Sequence, residues 1–200
     1  MTRCDNTMQA SIMANGNLVV LSGPSGAGKS TVVRELLQKS RLPLQLSVSA
    51  TTRPPRPGEV DGREYFFLTK EEFDQRRCEN EFLECKEVFG RGHWYGTQKK
   101  PVLKGMQEGK WILLEIDVQG ALTVFENYPD AISIFVHPGS MVELERRLRN
   151  RQTEDEDAIR RRLEVAREEM AFRQHYKYEV INHTVDTTVE MIQHLLEQHQ

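Results

Sequence analysis

The sequence predicts an α/β fold in three layers, α/β/α, with a parallel core sheet covered by helices on both faces. Three observations lead there. Apolar runs of strand length alternate with stretches of helical periodicity. A glycine-rich turn, Gly23 to Ser30 (GPSGAGKS), joins the first apolar run to the first helical pattern. Between residues 50 and 97 the rhythm breaks into prolines and short aromatic runs, which reads as a small inserted lobe.

Taken in order, residues 1–16 are polar and without periodicity, and are expected to form a disordered leader that holds Met8 and Met13 as alternative starts. The strand candidates are 17–22, 45–49, 111–116, 131–136 and 178–181. The helix candidates are 29–40, 70–79, 98–108, 118–127, 140–150, 155–175 and 186–198. Four helix starts carry a Ser/Thr-x-x-Glu pattern: Thr69 with Glu72, Ser140 with Glu143, Thr153 with Glu156, and Thr187 with Glu190. The expected division is a core of 17–49 and 98–200, a lobe of 50–97 and a flap at about 150–160. A parallel sheet of this type holds its ligand at the carboxyl ends of its strands.

Bulk properties narrow the function classes. Two hundred residues at 38% hydrophobic content suffice for one substantial core. The net charge, 27 − 30 = −3, argues against a general binder of nucleic acid or anionic membrane. Cys4, Cys78 and Cys85 make an odd count, and no long apolar run suggests a signal peptide or membrane span. A reducing cytoplasm is expected. Cys78 and Cys85 also lack the C-x-x-C spacing of a zinc site. No obligatory protein partner is evident.

The glycine-rich turn matches G-x-x-x-x-G-K-[ST] at every fixed position. Gly23, Gly26 and Gly28 let the backbone turn so that successive N–H groups converge on phosphate oxygens. The following helix aims its positive end at the same anion. Lys29 supplies a mobile charge for the β- and γ-phosphates, and the Ser30 hydroxyl can ligate Mg²⁺. The triphosphate-binding set is Gly23, Pro24, Ser25, Gly26, Ala27, Gly28, Lys29, Ser30 and Thr31. Shortly after it, Ser47 to Glu59 (SVSATTRPPRPGE) places two arginines and several hydroxyls where a second phosphate could sit. Two cradles so close together point to phosphoryl transfer between two nucleotides.

Two further stretches are open in the residues themselves. In Trp111 to Gly120 (WILLEIDVQG), Glu115 and Asp117 share one strand face, with Asp117 at its end. They either orient Mg²⁺ or its waters or begin the next helix. The arginines at 146, 147, 149, 151 and 160–162 are interleaved with acids and read, on their own, as a solvated face. Arg151 and Arg162 flank the acidic turn as residues on a closing flap would, and Ile159, Leu163, Ala166 and Met170 form the packing stripe behind it.

The stretches GPSGAGKST, SVSATTRPPRPGEVDGREYFF, EFLECKEVFG, YGT, EIDVQGA, RRLRNRQTEDE and VIN together resemble guanylate kinase, from residue 17 to the C-terminus. The resemblance implies a P-loop kinase fold with an inserted mixed α/β lobe that binds the nucleoside monophosphate, and a short lid. It implies ATP as co-substrate, Mg²⁺ as cofactor, and GMP as acceptor, with dGMP a candidate alternative. Ser49, Arg53, Arg56, Tyr65 and Tyr95 match positions holding the GMP phosphate, and Glu84 and Thr97 match positions reading guanine. Glu115 and Asp117 join the GMP-binding set, and Mg²⁺ falls to Ser30, with Asp117 acting through a water. Arg147 and Arg151 match lid arginines. Lys29, Arg56, Arg151 and Arg162 match the catalytic set, and Asn182 matches a position near the nucleotide.

The sequence departs from the family at RGHW before Tyr95, at Gln152 where relatives have glycine, and at His183 where they have aspartate. His93 is expected to be an exposed loop histidine rather than a catalytic group. Two other functions compete with this one. A non-catalytic guanylate-kinase-like interaction module typically has an eroded phosphate loop, whereas Lys29 and Ser30 are intact here. A kinase for another small phosphate acceptor would have no use for Glu84 and Thr97.

Overall fold

A computed structural model describes residues 16–88, 92–150 and 156–200. The leader (all but Gly16), Arg151, Gln152 and the Thr153 cap lie outside the described residues, as does part of the segment before Tyr95.

Numbered along the chain, β1 (Leu18–Ser22), β2 (Leu44–Leu46), β7 (Trp111–Glu115), β8 (Ile132–His137) and β9 (Tyr178–Ile181) form a parallel sheet in the order β2-β7-β1-β8-β9. The continuous apolar run of β1 is buried at every position, as a central strand covered on both faces requires. Alternation along it builds two cores. Val19 and Leu21 pack under α1 (Lys29–Lys39) and α7 (Val185–Glu197), through Val32, Leu36, Val189 and Ile192. Leu18 and Val20 pack under α3 (Lys99–Gln107) and α4 (Val118–Asn127), through Val102, Ala121 and Val124.

A third cluster joins α5 (Met141–Arg149) to α6 (Glu156–Ala171) through Leu144, Leu148, Ile159, Leu163 and Ala166. Met170 leaves that stripe and packs with the α3–α4 core. The helix expected over 155–175 ends at Ala171 and tightens into a 3₁₀ turn, Phe172–His175.

The second sheet is mixed and ordered β4-β3-β6-β5, from β3 (Ala50–Thr51), β4 (Phe66–Phe67), β5 (Phe82–Val88) and β6 (His93–Gln98). Helix α2 (Lys70–Cys78) covers it, with Phe73 stacked on Phe82 at 4.4 Å between ring centres. The strand expected over 45–49 stops at Leu46. The Ser47 N–H still bonds to Leu113 O, and the chain then crosses to this second sheet. His93 opens β6 rather than sitting in a loop.

The caps divide. Thr69 and Glu72 form a reciprocal capping box at α2. Ser140 accepts the Glu143 N–H, but the Glu143 carboxylate turns to Arg146 and Arg147. Thr187 is not a cap: α7 begins at Val185 and Thr184 accepts the Thr187 N–H, because Thr184 stands one turn earlier with a hydroxyl of its own.

Candidate active site

The sheet order reverses around β1, which places its carboxyl end in a crevice between β7 and β8. There the chain enters the glycine-rich turn. Gly28 caps α1 at φ 89° and offers no side chain to the helix, so the first-turn N–H groups remain available to an outside anion. Gly23, at φ 141°, lies so close to β8 that a Cβ would stand 2.0 Å from Val136 O.

Lys29 Nζ donates to Gly23 O at 2.7 Å and Pro24 O at 3.1 Å, so its ammonium folds back over the loop. Burial pushes its pKa down, while Glu169, Glu115 and Asp117 oppose that shift. Asn182 is buried and braces the turn from below. Its Nδ2 donates to Ala27 O at 2.7 Å, and its Oδ1 accepts from Thr188 Oγ1 at 3.0 Å. Arg147 reaches the same carbonyl at 3.4 Å and donates to Asn182 O at 2.7 Å. Thr31 lies exposed on the first turn of α1.

Beside the turn, Ser30 Oγ donates to Glu115 Oε1 at 2.6 Å, because the β1–β7 register sets Glu115 opposite Leu21. An oxygen-only pair of this kind is what a hard divalent cation takes. Asp117, expected at the strand's end and near Mg²⁺ through a water, is engaged elsewhere. Its Oδ1 caps α4 by accepting the Gly120 N–H at 2.9 Å, and its Oδ2 pairs with Lys86 Nζ at 2.8 Å. The strand ends at Glu115, so Asp117 falls past the sheet and onto the helix start.

In the second sheet, Arg53 donates to both Glu59 oxygens at 2.9 Å, to Pro54 O at 2.7 Å and to Tyr95 Oη at 3.2 Å. Its guanidinium also lies over the Tyr65 ring at 5.4 Å, and Tyr65 meets Tyr95 edge-on at 5.7 Å. Ser49 is half-buried where β3 begins, and its carbonyl accepts the Phe66 N–H. Arg56 is exposed on the turn that Glu59 closes by accepting its N–H.

Deeper in, Thr97 Oγ1 donates to Glu84 Oε1 at 2.6 Å, and both side chains are buried. Burial raises the Glu84 pKa from its ordinary value to about 7, against the pull of the Thr97 hydrogen bond. The Glu84 carboxylate rests on α4, where a Cβ on Gly120 would meet its Oε2 at 2.8 Å.

From the far side, Arg162 Nη2 donates to Ser25 Oγ at 2.8 Å, and the Ser25 N–H donates to Glu169 Oε2 at 3.3 Å. Glu169 is a loop contact that sequence reasoning missed; its spacing from Arg162, i and i+7 on one helix face, was the available signal. Arg146, Arg149 and Arg160 pair with Glu143, with Glu145 and Glu156, and with Asp157, as a solvated face does. Among the described residues no cluster of three or more His, Cys, Asp or Glu could hold a metal, and no helix is long and apolar enough to cross a membrane.

Comparison with known proteins gives one consistent result. The family model described as guanylate kinase matches residues 15–199. A guanylate kinase of Rhodopirellula baltica is 58% identical over 185 residues, 92% of this chain and 88% of that protein. One from Caldanaerobacter subterraneus is 48% identical over 186 residues, 93% of this chain and 89% of that protein. The crystal structure of guanylate kinase from Anaplasma phagocytophilum superposes with a TM-score of 0.77 at 34% identity, covering 94% of this chain and 87% of that one.

Proposed function

The chain belongs to the guanylate kinase family, and we propose on that premise that it transfers the ATP γ-phosphoryl group to GMP, giving GDP and ADP, with Mg²⁺ required. The observation that carries the choice of acceptor is the buried Glu84–Thr97 pair. Guanine presents N1–H and N2–H₂ donors beside an O6 acceptor. A carboxylate takes both donors and a hydroxyl serves the acceptor. Adenine presents an acceptor where Glu84 needs a donor, which leaves a buried carboxylate unpaired.

The residues divide the work by position. The turn from Gly23 to Thr31 cradles the ATP phosphates, and Lys29 exchanges its loop carbonyls for phosphate oxygens when ATP arrives. Ser30 and Glu115 would supply oxygens suited to hold Mg²⁺, which would neutralise charge on the triphosphate, and Asp117 would act through a water only on leaving Lys86. Arg53, Tyr65, Tyr95 and Ser49 hold the GMP phosphate, and Arg56 reaches over it from the exposed turn. Arg147 keeps its brace on the loop, while Arg151 and Arg162 neutralise the transferring group.

No general base is needed. The GMP phosphate has a second pKa of about 6 and attacks as the dianion near neutral pH. Catalysis is then positioning and charge neutralisation along an in-line path. The 50–97 lobe and the flap at about 150–160 close over both nucleotides and exclude water. The reaction belongs in the cytoplasm, where the free thiols Cys78 and Cys85 fit a reducing setting.

The test is ADP release from ATP with GMP, dGMP, AMP and ribose bisphosphate offered separately. Turnover with GMP, and with AMP slower by at least about 10³-fold, is expected. Equal rates for GMP and AMP would overturn the guanine assignment, and silence with every acceptor would favour an interaction module.

A further inference from the structure

Helix α6 meets Ser25 of the phosphate loop at two points. Arg162 Nη2 donates to the Ser25 hydroxyl at 2.8 Å, and the Ser25 main-chain N–H donates to Glu169 Oε2 at 3.3 Å. Arg162 and Glu169 stand at i and i+7, about two helical turns apart, so both project from one face of α6. Ser25 is thereby gripped from both sides, its hydroxyl by a cation and its amide by an anion.

The two contacts do different physical work. A guanidinium on a hydroxyl leaves the helix free to pivot about that point. A carboxylate on a backbone amide, two turns further along, removes the pivot, because a second fixed point sets the helix direction. Glu169 is half-buried; burial raises its pKa, the Lys29 ammonium opposes that rise, and Glu169 is in turn the first of the charged groups opposing the downward shift of Lys29. Its carboxylate therefore sits in the field of the loop's ammonium, where a charge-assisted bond holds more firmly than a neutral one.

We infer that Glu169 is a positioning residue for phosphoryl transfer: it fixes the register of α6 on the phosphate loop and, through Ser25, sets where Arg162 stands. The inference rests on the kinase assignment above. A displacement of about 1 Å at a group that neutralises the transition state costs on the order of 10²-fold in turnover.

The first readout needs no kinase activity, so it separates failure of this inference from failure of the assigned reaction. In the unliganded full-length chain, Glu169→Ala is expected to speed amide exchange at Ser25 by about tenfold. Unchanged exchange there overturns the inference.

The second readout is kinetic. Glu169→Ala lowers kcat by about 10- to 100-fold with the KM for GMP nearly unchanged. Glu169→Gln recovers most of that loss, because its amide oxygen can accept the same N–H. In an Arg162→Ala background, Glu169→Ala costs less than about threefold more, since the two act through one contact. A full additional loss in that background, as a merely structural role would give, overturns the inference. So does a lower KM for ATP at unchanged kcat, which would make the carboxylate a competitor for the phosphates. Glu169→Asp keeps the charge but withdraws the oxygen by one methylene. It is expected to show the same pattern in smaller measure, and it serves where the alanine variant does not fold.

Discussion

Glu84 Oε1 accepts a 2.6 Å hydrogen bond from Thr97 Oγ1, and the two side chains are only 7% and 1% exposed. The carboxyl that would read the base thus sits where charge is disfavoured, with a pKa of about 7. Below about pH 7 it is mostly protonated, and with one oxygen carrying the proton it can no longer accept from both guanine donors. The KM for GMP should rise as pH falls from 7.5 to 5.5, approaching about tenfold per unit below the pKa. Titration of the GMP phosphate also enters this range, so the comparison is with Glu84→Gln, whose profile should lack the Glu84 component.

The same shift fixes the sign of a stability effect. A carboxyl with a raised folded pKa stabilises the fold as pH falls from about 7 toward 4.5, and its ionisation costs stability above that window. At pH 7.5 the unliganded Glu84→Gln protein should be more stable than the parent by on the order of 2–3 kcal/mol. Its KM for GMP should nevertheless be about 100-fold higher, with the KM for ATP within about twofold. Urea melts and initial rates on the same preparation check both halves.

Lys29→Met should fold and melt no lower than the parent, since a buried ammonium is replaced by an apolar side chain of similar reach. Turnover should fall by at least about 10³-fold. Rates near the parent value would contradict the role given to Lys29.

Asn182→Ala removes the 2.7 Å bond to Ala27 O and leaves that carbonyl to the long contact from Arg147. The loop's N–H groups then lose their fixed aim. A rise of about tenfold in the KM for ATP, with the KM for GMP unchanged, is expected from losing one buried hydrogen bond of about 1–1.5 kcal/mol.

His137 is buried, its Nδ1 accepts the Gly139 N–H at 3.1 Å, and its Nε2 lies 2.9 Å from Glu179 Oε1 without the alignment of a hydrogen bond. Glu179, Arg173 and His183 are the charged or titratable groups around it. Burial lowers its pKa below the ordinary 6.5, so the unfolded chain takes up the proton more readily. Stability present above about pH 6.5 is therefore lost as pH falls through that value. His137→Leu should cost about 1 kcal/mol at pH 7.5 through the unpaired Gly139 N–H and should flatten the acid slope between pH 6.5 and 5, measured by thermal melts.

Much of this was legible in the sequence because the determinants are local. The phosphate loop is written in glycine spacing within eight consecutive positions, and the helix after it in the periodicity of Val32, Val33 and Leu36. The run in β1 announced its own burial on both faces. What stayed hidden depends on distant pairs. Glu169 meets Ser25 across a separation of 144 residues, and Asn182, set near the nucleotide by the resemblance alone, meets Ala27 across 155. No window of sequence holds both members. Asp117 and Glu115 exchanged prominence for a similar reason: which acid faces Ser30 depends on where β7 stops. Met170 kept helical spacing but changed neighbours where the stripe passed from α5 to the main core.

Gly120 stands on α4, yet its missing side chain is what leaves room for the Glu84 carboxylate of the neighbouring sheet. A chimera that receives a foreign lobe with a different base preference would inherit only half of the selecting surface. The other half is furnished by the recipient, and any engineer who transplants the lobe must redesign the opening turn of that helix along with it.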